Sequence, residues 1–125
     1  MSSFDHEKLD VYQAAIKFVG LADGIVKGLP RGRSYLADEI RRAAASIPLN
    51  IAEGAGEYSR KDKARFYRIA LRSATESAAL LDVCSQLSLA DARLVSTGRD
   101  LLLRIVPMLT RMVRNIGEGP GAGSG

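Results

Sequence analysis

The stretch Arg41–Gly56, RRAAASIPLNIAEGAG, decides the fold of this chain. Leu36, Ile40, Ala43 or Ala44, Ile47 and Ile51 recur at three-four spacing, so one apolar stripe runs through it. Glu39, Arg42, Ser46, Asn50 and Glu53 fall on another side and form a polar row. Both patterns continue past Pro48, which removes a backbone donor and presses on the carbonyl of Ala44, at a cost of about 3 kcal/mol in a helix interior. A kink in one continuous helix and a break recapped by Ser46 or Ile47 are the two possible responses; the unbroken stripe favours the kink. The second helix is therefore placed at residues 34–55, with Ser34 as its cap and Gly54 and Gly56 ending it.

Three further helices are legible around this one. In the first, Val11, Ala15, Phe18, Ala22, Ile25 and Leu29 make one stripe, while Leu9, Tyr12, Ile16, Val19 and Val26 make a second. A helix with so wide an apolar arc contacts two neighbours, or one neighbour and another subunit. It follows a polar start, with Phe4 as a possible anchor and Asp5 as a possible cap, and ends near Lys27, where Gly28 offers a left-handed cap and Pro30 follows. Ser59 and Asp62 have capping-box form and open the third helix, whose stripe takes in Phe66, Ile69, Ala70, Ser73, Ala74, Ser77, Leu80, Leu81, Cys84 and Leu87. Its small central residues predict close approach of another helix. Ser88 and Asp91 repeat the capping pattern, placing the fourth helix at 89–116, with Leu94, Leu101, Ile105, Met108, Met112 and Ile116 inward and Pro107 tolerated near its end. Four helices of about 20–28 residues, joined by short turns, predict an all-α, antiparallel up-down-up-down four-helix bundle over residues 1–116 with a kinked second helix. Residues 117–125, glycine-rich, are expected to form a disordered tail.

Composition narrows the function classes. The 125 residues are 46% apolar, enough for one domain with a core of its own. Cys84 is the single cysteine, which excludes an internal disulfide and fits a reducing compartment; a small buried hydrophobe is its ordinary reading. Acids rather than bases precede the first apolar stretch, and no apolar run has the length of a membrane span, so a cytoplasmic protein with no membrane association is expected. His6 is the only histidine and is read as a solvated residue of the N-terminus. No Glu-x-x-His pair of a di-iron bundle and no phosphate-cradling glycine loop occurs. No enzyme activity, metal or cofactor is expected.

Charge placement is the clearest functional signal. Arg60, Lys61, Lys63, Arg65, Arg68 and Arg72 are opposed only by Asp62 before Glu76 is reached. Lys61, Arg65, Arg68 and Arg72 lie at i, i+4, i+7 and i+11, on one helical face, with Tyr67 adjacent in sequence. Arginine suits bidentate phosphate contact and stacking on bases, so Arg60, Lys61, Arg65, Arg68 and Arg72 are the candidate nucleic-acid contacts. Arg99, Arg104, Arg111 and Arg114 on the fourth helix add to the basic character. A plain solvated face is the competing reading, consistent with a net charge of only +4. Arg41, Arg42, Pro48, Asn50, Glu53 and Glu76 are read as structural: Glu76 needs a partner, for which Arg41 or Arg42 is suited, and buried polar pairing is expected for Glu76, Asn50 and Glu53.

The run Arg41-Arg42-Ala43-Ala44, followed by Ser46-Ile47-Pro48-Leu49-Asn50-Ile51-Ala52-Glu53-Gly54, resembles the signature of the bacterial four-helix-bundle proteins of 23S ribosomal RNA intervening sequences. The resemblance extends over residues 4–116, through Leu9, Val11-Tyr12, Ala15, Pro30, Tyr35-Leu36, Ser59, Phe66, Ile69-Ala70, Ser73-Ala74 and Glu76. It implies a homopentamer, often with a basic surface, in a nucleic-acid-binding or scaffolding role; relatives accompany reverse transcriptases in diversity-generating retroelements. Two departures add positive charge, Arg72 where the family has Gly and Arg33 where an acid is expected. The expected function is a non-enzymatic oligomer that binds RNA or DNA. The alternative is a protein-interaction scaffold, with a partner such as a reverse transcriptase and no direct nucleic-acid contact.

Overall fold

A computed structural model describes residues 4–117, which form four α-helices and one short 3-10 turn and contain no strand. The 3-10 turn spans Asp5–Lys8; the helices are α1 (Asp10–Lys27), α2 (Ser34–Ala55), α3 (Arg60–Gln86) and α4 (Ala92–Gly117). Each helix packs on its neighbour in sequence and α4 packs back on α1, while the diagonal pairs α1/α3 and α2/α4 stay apart at the backbone. That closed square is a four-helix bundle. The tail read at 117–125 lies outside the described residues, apart from Gly117, the last residue of α4.

The core follows the apolar periodicity. From α1 come Val11, Ala15, Phe18, Ala22 and Ile25; from α2 Leu36, Ile40, Ala44, Ile47 and Ile51; from α3 Tyr67, Ala70, Ala74, Leu81 and Cys84; from α4 Leu102, Ile105 and Leu109. The second stripe of α1 stays partly outside it: Tyr12 and Val19 are half-buried and Ile16 is 45% exposed. On α3 the expected Phe66 and Ile69 are half-buried, and the ring that enters the core is Tyr67, 4% exposed. On α4 the inward turn is set by Gly98, Leu102, Ile105 and Leu109, so Leu101, Met108 and Met112 flank the core instead of filling it.

α2 is continuous through the buried Pro48, with no second cap at Ser46 or Ile47. Close approach of α2 and α3 rests on small residues. Ser73 Oγ donates to Ser46 Oγ at 2.7 Å, and Asn50 Nδ2 donates to Ser46 O and Oγ at 2.8 and 3.0 Å. Ser77 Oγ bonds back to the Ser73 carbonyl at 2.8 Å, which satisfies a buried hydroxyl inside its own helix. The contacts pair Arg42 with Glu76, Ser46 with Ser73, and Gly54 with Lys63 and Tyr67, in opposite sequence order along the two helices.

Several helix ends differ from the sequence expectation. Ser59 caps α3 as expected, accepting from Asp62 N at 3.3 Å, a contact type worth about 1 kcal/mol. Ser34 is instead the first residue of α2, after an Arg33 cap whose side chain makes no capping bond to the helix N–H groups. The cap of α4 is Asp91, whose Oδ1 accepts from Arg93 N at 2.7 Å. Ser88, with φ 53°, makes the turn before it. A carboxylate is the stronger acceptor for helix N–H groups, which explains why the later of the two candidates starts the helix. Gly28 and Gly56 close α1 and α2 with φ of −89° and −87°, so neither uses the left-handed conformation. Asp5 lies within the 3-10 turn, and Leu9 precedes α1 without a side-chain cap.

Candidate nucleic-acid interface

α3 presents two opposite sides. At about 3.6 residues per turn, Lys61, Arg65, Arg68 and Arg72 fall diametrically opposite Tyr67, Ala70, Ala74 and Leu81, which fill the core. All four cations are exposed, as is Arg60 at the helix start. Lys61, Arg68 and Arg72 have no hydrogen bond or ion pair to any described residue; the Arg65 guanidinium lies over the Phe66 ring, 5.0 Å from its centroid. That stacking holds one member of the row flat against an apolar surface without neutralising it.

Two neighbouring charges are used elsewhere. Lys63 is half-buried and donates to the carbonyls of Gly54 and Ala55 at 2.8 and 3.2 Å, capping the C-terminus of α2. Glu76, one turn beyond Arg72, accepts from Arg42 Nη2, which also donates to Glu39 at 2.8 Å. Hydrogen bonds to Glu39 and then Glu76 raise the Arg42 pKa, and the bond and charge of Arg42 hold the Glu39 carboxyl below its ordinary range. Glu76 is thereby occupied by α2 and leaves the α3 row uncompensated. Tyr58, in the turn before α3, is fully exposed beside the start of that row.

The residues read as structural divide. Arg42 is the partner of Glu76, but the pair is a surface bridge between α2 and α3 rather than a buried one: their side chains are 54% and 38% exposed. Asn50 is held by Ser46 within its own helix. Glu53 is exposed and Arg41 is exposed, each without a hydrogen bond or ion pair to a described residue. Buried pairing fails for Glu53 because it lies on the exposed side of α2, while its neighbour Gly54 is the residue that meets Tyr67 and Lys63 of α3. His6 is not loose in solvent; its ring stacks on Phe4 and meets the edge of Tyr12 at centroid distances of 5.8 and 4.6 Å. Cys84 is fully buried, and burial pushes its thiol pKa up. No group of three or more metal-ligating side chains occurs among the described residues, and none of their helices is long and apolar enough to cross a membrane.

Tyr58, read from the sequence only as opening the turn after α2, and Tyr67 are the residues whose roles the sequence pattern did not show. A tyrosine preceding a charge run is the signal for the first; for the second, Phe66 and Tyr67 lie equally well one turn before Ala70, and hydrophobicity alone prefers the phenylalanine.

Comparison with known proteins agrees with the fold. The sequence profile of the family described as 23S rRNA-intervening sequence protein matches residues 7–111. A search of curated proteins finds no match. Among solved structures, the chain is similar to a protein of unknown function from the S23 ribosomal protein family of Bacteroides thetaiotaomicron. The two share 21% identity at a TM-score of 0.76, over 83% of this chain and 98% of that one.

Proposed function

Since the chain belongs to the family of 23S rRNA-intervening sequence proteins, we propose that it is a non-enzymatic, cytoplasmic helical bundle that binds RNA or DNA through the exposed face of α3. The observation that carries this reading is the row Lys61, Arg65, Arg68 and Arg72, four cations on one solvent face with no acid among the described residues committed to them. Such a row meets a phosphate backbone by releasing its counterions, a sequence-independent source of affinity. Arg60 extends the row at its start, and Tyr58 offers a ring on which an unpaired base can stack.

Fluorescence anisotropy with labelled RNA and DNA tests the reading. With about five phosphates neutralised, log affinity falls against log salt with a slope of roughly −3.5 to −4.5. Replacing Lys61, Arg65 and Arg68 by Gln together flattens that slope by about 2–3 and weakens all sequences alike. Salt-independent binding, or none at low salt, overturns the proposal.

The same protein is proposed to act as a homo-oligomer, as a pentamer by family resemblance. The outer stripe of α1 supports self-association: Ile16 is exposed, with half-buried Tyr12 and Val19 one turn to either side. Light scattering at micromolar concentration is expected to show an assembly larger than a dimer; a monomer refutes it. A protein-interaction scaffold, with a polymerase such as a reverse transcriptase as partner, is the second reading. A depression lined by Thr75, Ala78, Leu102, Leu103, Val106 and Pro107 favours it, because Leu103 is 60% exposed there. Partner capture that survives the three Gln substitutions distinguishes the scaffold from the nucleic-acid binder.

A further inference from the structure

Arg41 belongs to the most distinctive stretch of the sequence, yet it pairs with no described residue: the bridge to Glu76 is made by Arg42. What Arg41 does instead is line a surface cavity of about 480 Å³ between the α1–α2 turn and the first turns of α2. Its apolar lining comes from Val26, Leu29, Pro30 and Ala37, and two more arginines, Arg31 and Arg33, stand in the turn itself. Gly32, with φ +91°, turns the chain between them, a conformation open to glycine at little cost. Arg33 Nη1 donates to Tyr35 Oη at 3.1 Å, while Arg31 and Arg41 have no hydrogen bond or ion pair to any described residue. No carboxylate lines the cavity.

Three guanidinium groups without a counter-charge among the described residues are suited to a phosphoryl group, which they can engage in bidentate fashion. The apolar lining calls for a second, flat and weakly polar part of the same ligand, and the volume is in the range of small-molecule sites. We propose that this cavity binds a nucleotide through its 5′-phosphate, with Arg31, Arg33 and Arg41 around the phosphate and the base against Leu29 and Pro30. The nucleotide is either free or the 5′-terminal residue of a strand. The site is separate from the α3 row. Gly54 of α2 lies beside Lys63 and Tyr67, whereas Arg42 lies beside Glu76, so the cavity sits past the far end of Lys61–Arg72.

Isothermal titration of the full chain with adenosine 5′-monophosphate, adenosine and inorganic phosphate tests the assignment. The monophosphate is expected to bind saturably, with adenosine and inorganic phosphate each weaker by roughly tenfold or more. Arg31→Gln with Arg41→Gln weakens the monophosphate by roughly tenfold or more, since two charge-assisted contacts are lost. Both side chains are exposed, and an unchanged helical circular dichroism spectrum verifies the fold. The triple Gln variant of α3 leaves monophosphate binding intact, so this site and the α3 interface stand or fall separately. A 5′-phosphorylated oligonucleotide that binds more tightly than its 5′-hydroxyl counterpart, with the difference lost in Arg41→Gln, assigns the strand end as ligand. Equal binding of the two oligonucleotides alongside saturable monophosphate binding assigns the free nucleotide. The proposal is overturned by absence of saturable monophosphate binding, by binding indifferent to Arg31 and Arg41, or by binding that disappears with the α3 substitutions.

Discussion

Phe18→Ala is expected to lower stability by about 3–5 kcal/mol, the range for truncating a buried phenyl ring where the surroundings cannot collapse. Phe18 is 1% exposed and faces α4 at Gly98, where an added Cβ would come within 3.4 Å of the ring. The same Gly98 position is crowded by Leu21 and Leu81, so these side chains are already in contact with the α4 backbone and have little freedom to fill a void. Against a total stability of about 5–15 kcal/mol for a domain, the loss is roughly a fifth or more. Urea denaturation followed by circular dichroism measures it as a fall in midpoint at constant slope. Tyr35→Ala, at a side chain 57% exposed, serves as control and is expected to stay within about 0.5 kcal/mol. A Phe18→Ala loss no larger than that of the control contradicts the packing described for α1 and α4.

Gly54→Ala tests the corner where α2 meets the start of α3, and there the sign is informative. An alanine in a helix gains about 1 kcal/mol over glycine in intrinsic propensity. At this position its Cβ would lie 2.6 and 2.8 Å from Cε1 and Cδ1 of Tyr67 and 3.2 Å from the Lys63 carbonyl. The ring and the α3 backbone must both yield, at an overpacking cost of about 1–3 kcal/mol. Net destabilisation is expected, with a change in the near-ultraviolet signal of Tyr67. Gly20 and Gly24 on α1 have open space where a Cβ would go, so Gly24→Ala is expected to stabilise by up to about 1 kcal/mol. Opposite signs at Gly54 and Gly24 support the close approach; equal gains at both contradict it.

These positions also show what the sequence could and could not disclose. The α2 stripe Leu36, Ile40, Ala44, Ile47 and Ile51 was legible because polar residues bound it on both sides, leaving one inward direction. α4 was less so: Leu101, Leu102 and Leu103 are consecutive, and hydrophobicity cannot say which of three equivalent side chains turns inward. The selection is made by Gly98, which lets Phe18 and Leu21 approach and thereby fixes the rotation of the helix. Start signals suffered from a similar redundancy at Ser88 and Asp91. The basic row on α3 was readable from spacing, since a surface face needs no knowledge of neighbours. Its lack of compensation was readable in part, since Asp62 is the only acid before Glu76 and Arg41 or Arg42 suited Glu76; that Arg42 is the one that takes it depends on the helix interface. The cavity at Arg31, Arg33 and Arg41 was hidden for the same reason: Arg41 lies on α2 itself, and only the fold of the turn brings it to Arg31 and Arg33.

The square arrangement of the helices has a kinetic consequence. Three of its four sides join helices adjacent in the chain and connected by short turns, so most of the core forms by closing small loops. The entropic cost of such closures is low, and chains rich in local contacts fold rapidly. The fourth side, where α4 returns to α1, requires the two ends of the bundle to meet and carries the largest closure cost. The seam between first and last helices is thus the natural place for the bundle to open before it unfolds.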